Sequence, residues 1–200
     1  MNFLINTLRR KHENGDKKDF MLSRRTFVKL GTWTAMAGFL PRAAFGSGNI
    51  VSLAEKSLAF YHTHTGEKIK TVYWAEGNYV NDSLREINYV LRDPRNNEVH
   101  AIDPRLLDLL FAIGKEIDAT QPFHVISGYR SAQTNAFLRA RSTGVAEHSL
   151  HLVGKAIDIR SPGRPLHALQ KAALALKGGG VGHYPKSDFV HVDIGRVRYW

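Results

Sequence analysis

In Ser149-Leu150-His151-Leu152-Val153-Gly154-Lys155-Ala156-Ile157-Asp158, the last residues alternate with Ile159 in the two-residue period of a half-buried strand. Asp158 therefore leaves the face opposite Ile157 and Ile159, while Gly154 lets the chain turn between His151 and the strand. Asp188-Phe189-Val190-His191-Val192-Asp193-Ile194 repeats the pattern, with Val190, Val192 and Ile194 on one face and His191 and Asp193 on the other. Paired side by side, two such strands present Asp158 and His191 to one cleft, into which His151 reaches from the preceding loop. A histidine taken singly reads better as a structural residue. Jointly, two neutral imidazoles and a carboxylate form a facial ligand set that leaves zinc an open position, where a water can be bound and acidified. The chemistry to which this set points is metal-assisted hydrolysis.

The flanking sequence reads as scaffold. Leu58 to Thr65 and Lys68 to Trp74 flank Gly66 as a hairpin, with His62 and His64 on one face but no third ligand nearby in sequence. Asn81 or Asp82 caps a helix running to about Leu91, which Asp93-Pro94 ends, and Asp103-Pro104 opens another with Leu106, Leu107, Leu109, Leu110 and Ile113 as core. A further helix spans Pro165 to Lys177, ended by Gly178-Gly179-Gly180. That glycine run lacks the Lys-Ser/Thr of a phosphate loop and precedes a strand, so it reads as a turn bringing backbone close to the cleft. Helices flanking a small central antiparallel sheet make an α+β domain.

Phe123 to Ser127 reads as a short strand, Gly128 as a turn and Ser131 as the N-cap of a helix from Ala132 to Arg141. Arg130 thus sits at a strand-to-helix junction, where a guanidinium can either cover the helix start or hydrogen-bond an oxyanion developing on an attacked amide.

The Ser-x-His-x-x-Gly-x-Ala-x-Asp string with its late His resembles the zinc peptidases that include D-Ala-D-Ala carboxypeptidases, dipeptidases and murein endopeptidases. Within them it is most similar to the murein endopeptidase K group. The likeness runs from about Ser57 to Trp200 and includes Ser127-Gly128-Tyr129-Arg130-Ser131 and Gly179-Gly180-Val181-Gly182. It implies a Hedgehog/DD-peptidase-like α+β fold, one zinc ion held by His151, Asp158 and His191, and Arg130 beside the scissile carbonyl. It also implies that an acid three positions before the last His, here Asp188, takes the proton from the attacking water. Straight alternation would put Asp188 on the wrong face, so this role requires the strand to begin after it; a turn-capping Asp is the other reading. His183 is a rival as base or as a ligand for the tetrahedral intermediate, and Asp193 as an orienter of a ligand histidine.

Ser23-Arg24-Arg25-Thr26-Phe27-Val28-Lys29 is a twin-arginine export signature, followed by an apolar run, Leu30 to Leu40, too short to span a bilayer. Ala44-Phe45-Gly46 offers the small residues of a cleavage site, so residues 1–46 are expected to be a signal peptide and 47–200 a periplasmic zinc peptidase domain. Met21 is an alternative start. Residues 1–46 carry nine Lys and Arg and three Asp and Glu, so their removal brings the formal charge from +10 to +4. Nucleic-acid binding is thereby disfavoured, and an anionic polymer such as peptidoglycan, with its carboxylate-bearing stem peptides, suits the remaining charge. With no cysteine, the chain has neither disulfides, nor a thiolate zinc site, nor a lipoprotein anchor. The export machinery is a transient partner. The expected activity is hydrolysis of peptidoglycan cross-links. A D-Ala-D-Ala carboxypeptidase and a non-catalytic zinc-containing wall-binding module are the alternatives.

Overall fold

The computed structural model describes residues 55–200 apart from Thr143. The expected signal segment, its cleavage point and the boundary at residue 46 lie outside the described residues.

A hairpin opens the domain: β1 (Lys56–His62) pairs antiparallel with β2 (Lys68–Ala75), and the two-residue β3 (Asn78–Tyr79) extends it. Helices α1 (Asn81–Val90) and α2 (Pro104–Glu116) follow, then β4 (Phe123–Ser127) and α3 (Ala132–Arg139). The chain finishes with β5 (Ala156–Arg160), α4 (Leu166–Leu176), β6 (Gly180–Tyr184), β7 (Phe189–Asp193) and the short β8 (Arg198–Tyr199). The sheet order is β3-β2-β1-β4-β5-β7-β6-β8. The α+β architecture is as expected. The sheet, however, is mixed, because β1 with β4 and β6 with β8 run parallel. Parallel neighbours need long crossovers, and α1 and α2 fill the first of these.

Helices α2 and α4 cover one face of the sheet. Asp103 caps α2 by accepting from the Arg105 backbone N–H at 3.0 Å, with Pro104 in the first turn. Leu106, Leu107, Leu110 and Ile113 then fall on one stripe and are fully buried against Val125, Ile157, Ile159, Val190 and Val192 of the central strands. Each such side chain contributes about 1.5–3 kcal/mol by leaving water. In α4, Leu169, Ala172 and Ala173 close the same core, and Lys177 ends the helix in left-handed geometry at φ 51°. Two boundaries differ from expectation. Val80 occupies the N-cap position of α1 with no side-chain cap, because Asn81 and Asp82 are already helical, and α3 stops at Arg139. Among the described residues no helix is long and apolar enough to cross a membrane.

One face of the sheet is thus occupied by core. Residues 158 and 191, on the opposite face, are free to do chemistry.

Candidate metal centre

Strands β5 and β7 are antiparallel neighbours in a register that sets Asp158 directly opposite His191. Directly opposed residues share a face, so the two side chains converge. His151 arrives from a 3-10 turn, Leu150–Val153, capped by Ser149 and closed at Gly154 with φ +63°. A side chain at 154 would strike the Ala101 carbonyl, so only glycine serves there.

The three side chains meet. His191 Nδ1 lies 2.8 Å from Asp158 Oδ1, His151 Nε2 lies 3.3 Å from the same oxygen, and the two nitrogens are 3.2 Å apart. Ligand atoms about 2.0–2.1 Å from a tetrahedral ion stand roughly 3.3 Å from one another, so the residues fit zinc. They are the one such group of His, Cys, Asp or Glu among the described residues. Among the described residues His62 and His64 have no third ligand, and His62 Nδ1 accepts from the His64 backbone at 3.3 Å.

Each imidazole is held in the tautomer a metal needs. His151 Nδ1–H donates to the Gly128 carbonyl at 2.7 Å, leaving the Nε2 lone pair for the cluster. His191 Nε2–H donates to Asp193 Oδ2 at 3.1 Å, leaving Nδ1. Asp193 is fully buried and is itself fixed by Arg198 Nη2 at 2.7 Å and by the Gly180 and Gly195 amides at 2.9 and 2.8 Å. The glycine run before β6 therefore approaches Asp193, since side chains at 179 or 180 would collide with it.

Electrostatics point the same way. Burial alone would raise the Asp158 carboxyl, but the adjoining His151 and, after it, His191 hold it well below the usual carboxylate range. Burial pulls His191 down, yet its bonds to Asp158 and Asp193 overcome this and push it up to about 9. The Asp158 carboxylate is thereby kept ionised, the form in which it can ligate a metal.

Arg130 closes one side. Its Nη2 is 3.2 Å from Ser127 Oγ and 3.6 Å from Asp158 Oδ2, and Nη1 is 3.4 Å from Asn135 Oδ1. The buried Nε has no hydrogen-bond partner among the described residues. Burial lowers the guanidinium pKa, and Asp158 opposes the shift. The junction bearing Arg130 is pinned by Asp93, a fully buried carboxylate that accepts from Ser131 N at 2.9 Å and Ser131 Oγ at 2.7 Å. In the sequence Asp93 reads only as a helix stop, because a buried acid facing an N-cap 38 residues away leaves no local signal.

A cavity of about 320 Å³ contains the three ligands and Arg130 and is walled by His148, Tyr184, Phe189, Arg198 and Trp200. A larger groove of about 800 Å³, near Lys68, Phe111 and Pro122, holds none of them. Two expected residues are not in the cavity lining. His183 pairs with Val190, whereas Gly182 pairs with His191, so alternation sends His183 to the opposite face. Asp188 precedes β7 in left-handed geometry, φ 53°, and its carboxylate accepts from Arg160 Nη1 at 2.8 Å. Arg160 is two residues beyond Asp158 on the same face of β5, so the left-handed corner brings Asp188 to the cluster's side of the sheet.

Residues 51–200 match the family model for peptidoglycan L,D-endopeptidase MepK. Peptidoglycan L,D-endopeptidase MepK of Escherichia coli K12 is 40% identical over 181 residues, spanning 90% of this chain and 98% of that protein. The probable peptidoglycan L,D-endopeptidase MepK of Haemophilus influenzae is 36% identical over 179 residues, 89% of this chain and 95% of its own length. With two imidazoles and a carboxylate converging on the open face of the sheet, this chain belongs to the MepK family of M15 peptidases.

Proposed function

We propose that this protein is an exported zinc peptidase that hydrolyses peptide cross-links of peptidoglycan, with the L,D bond named for its relatives as the target. The observation that carries the reading is the convergence of His151, Asp158 and His191, with each histidine's second nitrogen already committed to an acceptor. Zinc held by these residues supplies Lewis acidity toward a water and toward the scissile carbonyl.

The protein's own groups do the rest. The Gly128 carbonyl and Asp193 hold the ligand tautomers. The Arg130 guanidinium, buried and with its Nε unsatisfied, offers N–H donors to the oxygen on which charge develops, in a setting where water screens little. Asp188 receives the proton of the attacking water after leaving Arg160, which is exposed enough to release it at little cost. The twin-arginine signature supports export to the periplasm and a transient encounter with that machinery.

The deciding experiment is incubation of the protein with purified sacculi, with zinc and with a chelator, and mass analysis of the released fragments. Chelator-sensitive conversion of cross-linked dimers to monomers is expected. Loss of terminal D-Ala alone would assign a carboxypeptidase instead, and no product despite stoichiometric zinc would assign a wall-binding module.

A further inference from the structure

Trp200 is fixed to the sheet. Its backbone N–H donates to the Val181 carbonyl at 3.2 Å, and its carbonyl accepts from His183 N at 3.0 Å, continuing the parallel β6–β8 pairing. The indole then folds across the cluster's face of β6. Its ring centroid lies 5.4 Å from that of His191, and its Nε1–H donates to the Tyr184 hydroxyl at 2.7 Å. Tyr184 in turn stacks on Phe189 at 4.6 Å. Gly182 is the floor under the indole: a Cβ there would come within 2.7 Å of the ring.

Trp200 is bonded at both backbone groups, seated on a glycine and hydrogen-bonded through its ring, yet 49% of its surface stays exposed, on the wall of the cleft. Burial in the core does not explain such fixation, because about half of the residue is exposed; its ring is approached by His191 and by the Arg198 guanidinium, whose Cζ lies 5.0 Å from the ring centroid. A rigid indole presents a broad apolar plane with little conformational entropy to lose on binding.

We propose that Trp200 is a substrate-positioning residue: its exposed face, continued by Tyr184 and Phe189, packs against the aliphatic part of a cross-linked peptide and holds the scissile amide beside His191. Arg130 and Arg198 flank this shelf, so the fitting ligand has a hydrocarbon stem and carboxylates near its ends. The inference rests on the endopeptidase reading.

The test uses the full chain carrying Trp200→Ala, Trp200→Leu or Trp200→Phe, with a purified cross-linked muropeptide dimer as substrate. Zinc content and melting temperature are measured alongside. Trp200→Ala is expected to raise KM at least tenfold, with a much smaller fall in kcat and stoichiometric zinc. Trp200→Leu should recover part of the loss, and Trp200→Phe most of it. A KM within twofold of wild type in Trp200→Ala would overturn the proposal. So would joint loss of zinc and kcat in both Trp200→Ala and Trp200→Phe, which would make the indole a prop for His191. If the wild-type protein binds zinc but turns nothing over, the endopeptidase reading fails. Calorimetric titration of the dimer into wild type and Trp200→Ala then tests the shelf by itself: tenfold weaker binding supports it, and equal binding removes it.

Discussion

Replacing Asp193 by Asn tests whether the carboxylate behind His191 sets the metal centre. Both glycine amides bond to Oδ1, at 2.9 Å from Gly180 and 2.8 Å from Gly195, so the Asn carbonyl is held in that position. The new NH2 then occupies the place of Oδ2, facing His191 Nε2 and Arg198 Nη2. A donor opposite Nε2 forces the imidazole into its other tautomer, with the proton on Nδ1, the atom that must face the ion. Loss of such an outer partner typically costs 10- to 100-fold in metal affinity, or about 1.4–2.7 kcal/mol. Arg198 loses its charged partner as well but is partly exposed, so a further destabilisation of about 1–3 kcal/mol is expected without unfolding. Competition with a chromophoric chelator measures the zinc affinity, and circular dichroism checks the fold. Affinity within threefold of wild type in a folded Asp193→Asn protein would refute the tautomer argument.

Arg130→Ala should lower kcat about 100-fold, the usual effect of removing one donor to a developing oxyanion, with metal content unchanged; loss of zinc would reassign Arg130 to structure. Asp188→Asn should lower kcat at least 100-fold at unaltered zinc occupancy, and near-normal turnover would pass the proton to another group. His62 gives a pH signature away from the cleft. Its burial, aided by His64 and only partly offset by Glu67, lowers it from 6.5 to about 4. The unfolded chain therefore takes up the proton first, so stability is full above pH 6.5 and declines as pH falls toward 4. Linkage makes the loss roughly 2 to 3 kcal/mol at pH 4.5 relative to pH 7. Urea denaturation of wild type and His62→Gln at the two pH values should show the slope reduced by that amount in the variant, and equal slopes would exclude His62 as its source.

Where the sequence carried a strong local period, it forecast the structure. The alternation around Asp158 and His191 gave strands, faces and convergence, because a side-chain period of two fixes direction once pairing is assumed. Asp103-Pro104 and Ser131 marked helix starts, since a cap is chemistry within three residues. Pairing order was another matter. Nothing local states that β1 adds parallel to β4 or that β8 adds parallel to β6, because both follow from crossovers and packing. His183 shows the cost of reading residue type without register: it lies next to Gly182, which faces the cluster, and so must face away.

The parts invisible to sequence share a physical character, which is that they hold other residues in place. Asp93 reaches Ser131, the Gly128 carbonyl reaches His151, and the Gly180 amide reaches Asp193, whose place behind His191 the alternation of β7 had already offered. Those three contacts are long in sequence or run through backbone atoms, so residue type alone cannot report them. They matter because a zinc-activating site needs ligands oriented before the ion arrives, and neutral imidazoles rotate freely unless their second nitrogen is tied. Here both are tied to acceptors seated in or beside the buried strands. The hydrophobic face of the sheet thus acts on the chemistry of the other face through the backbone, by fixing which nitrogen carries the proton.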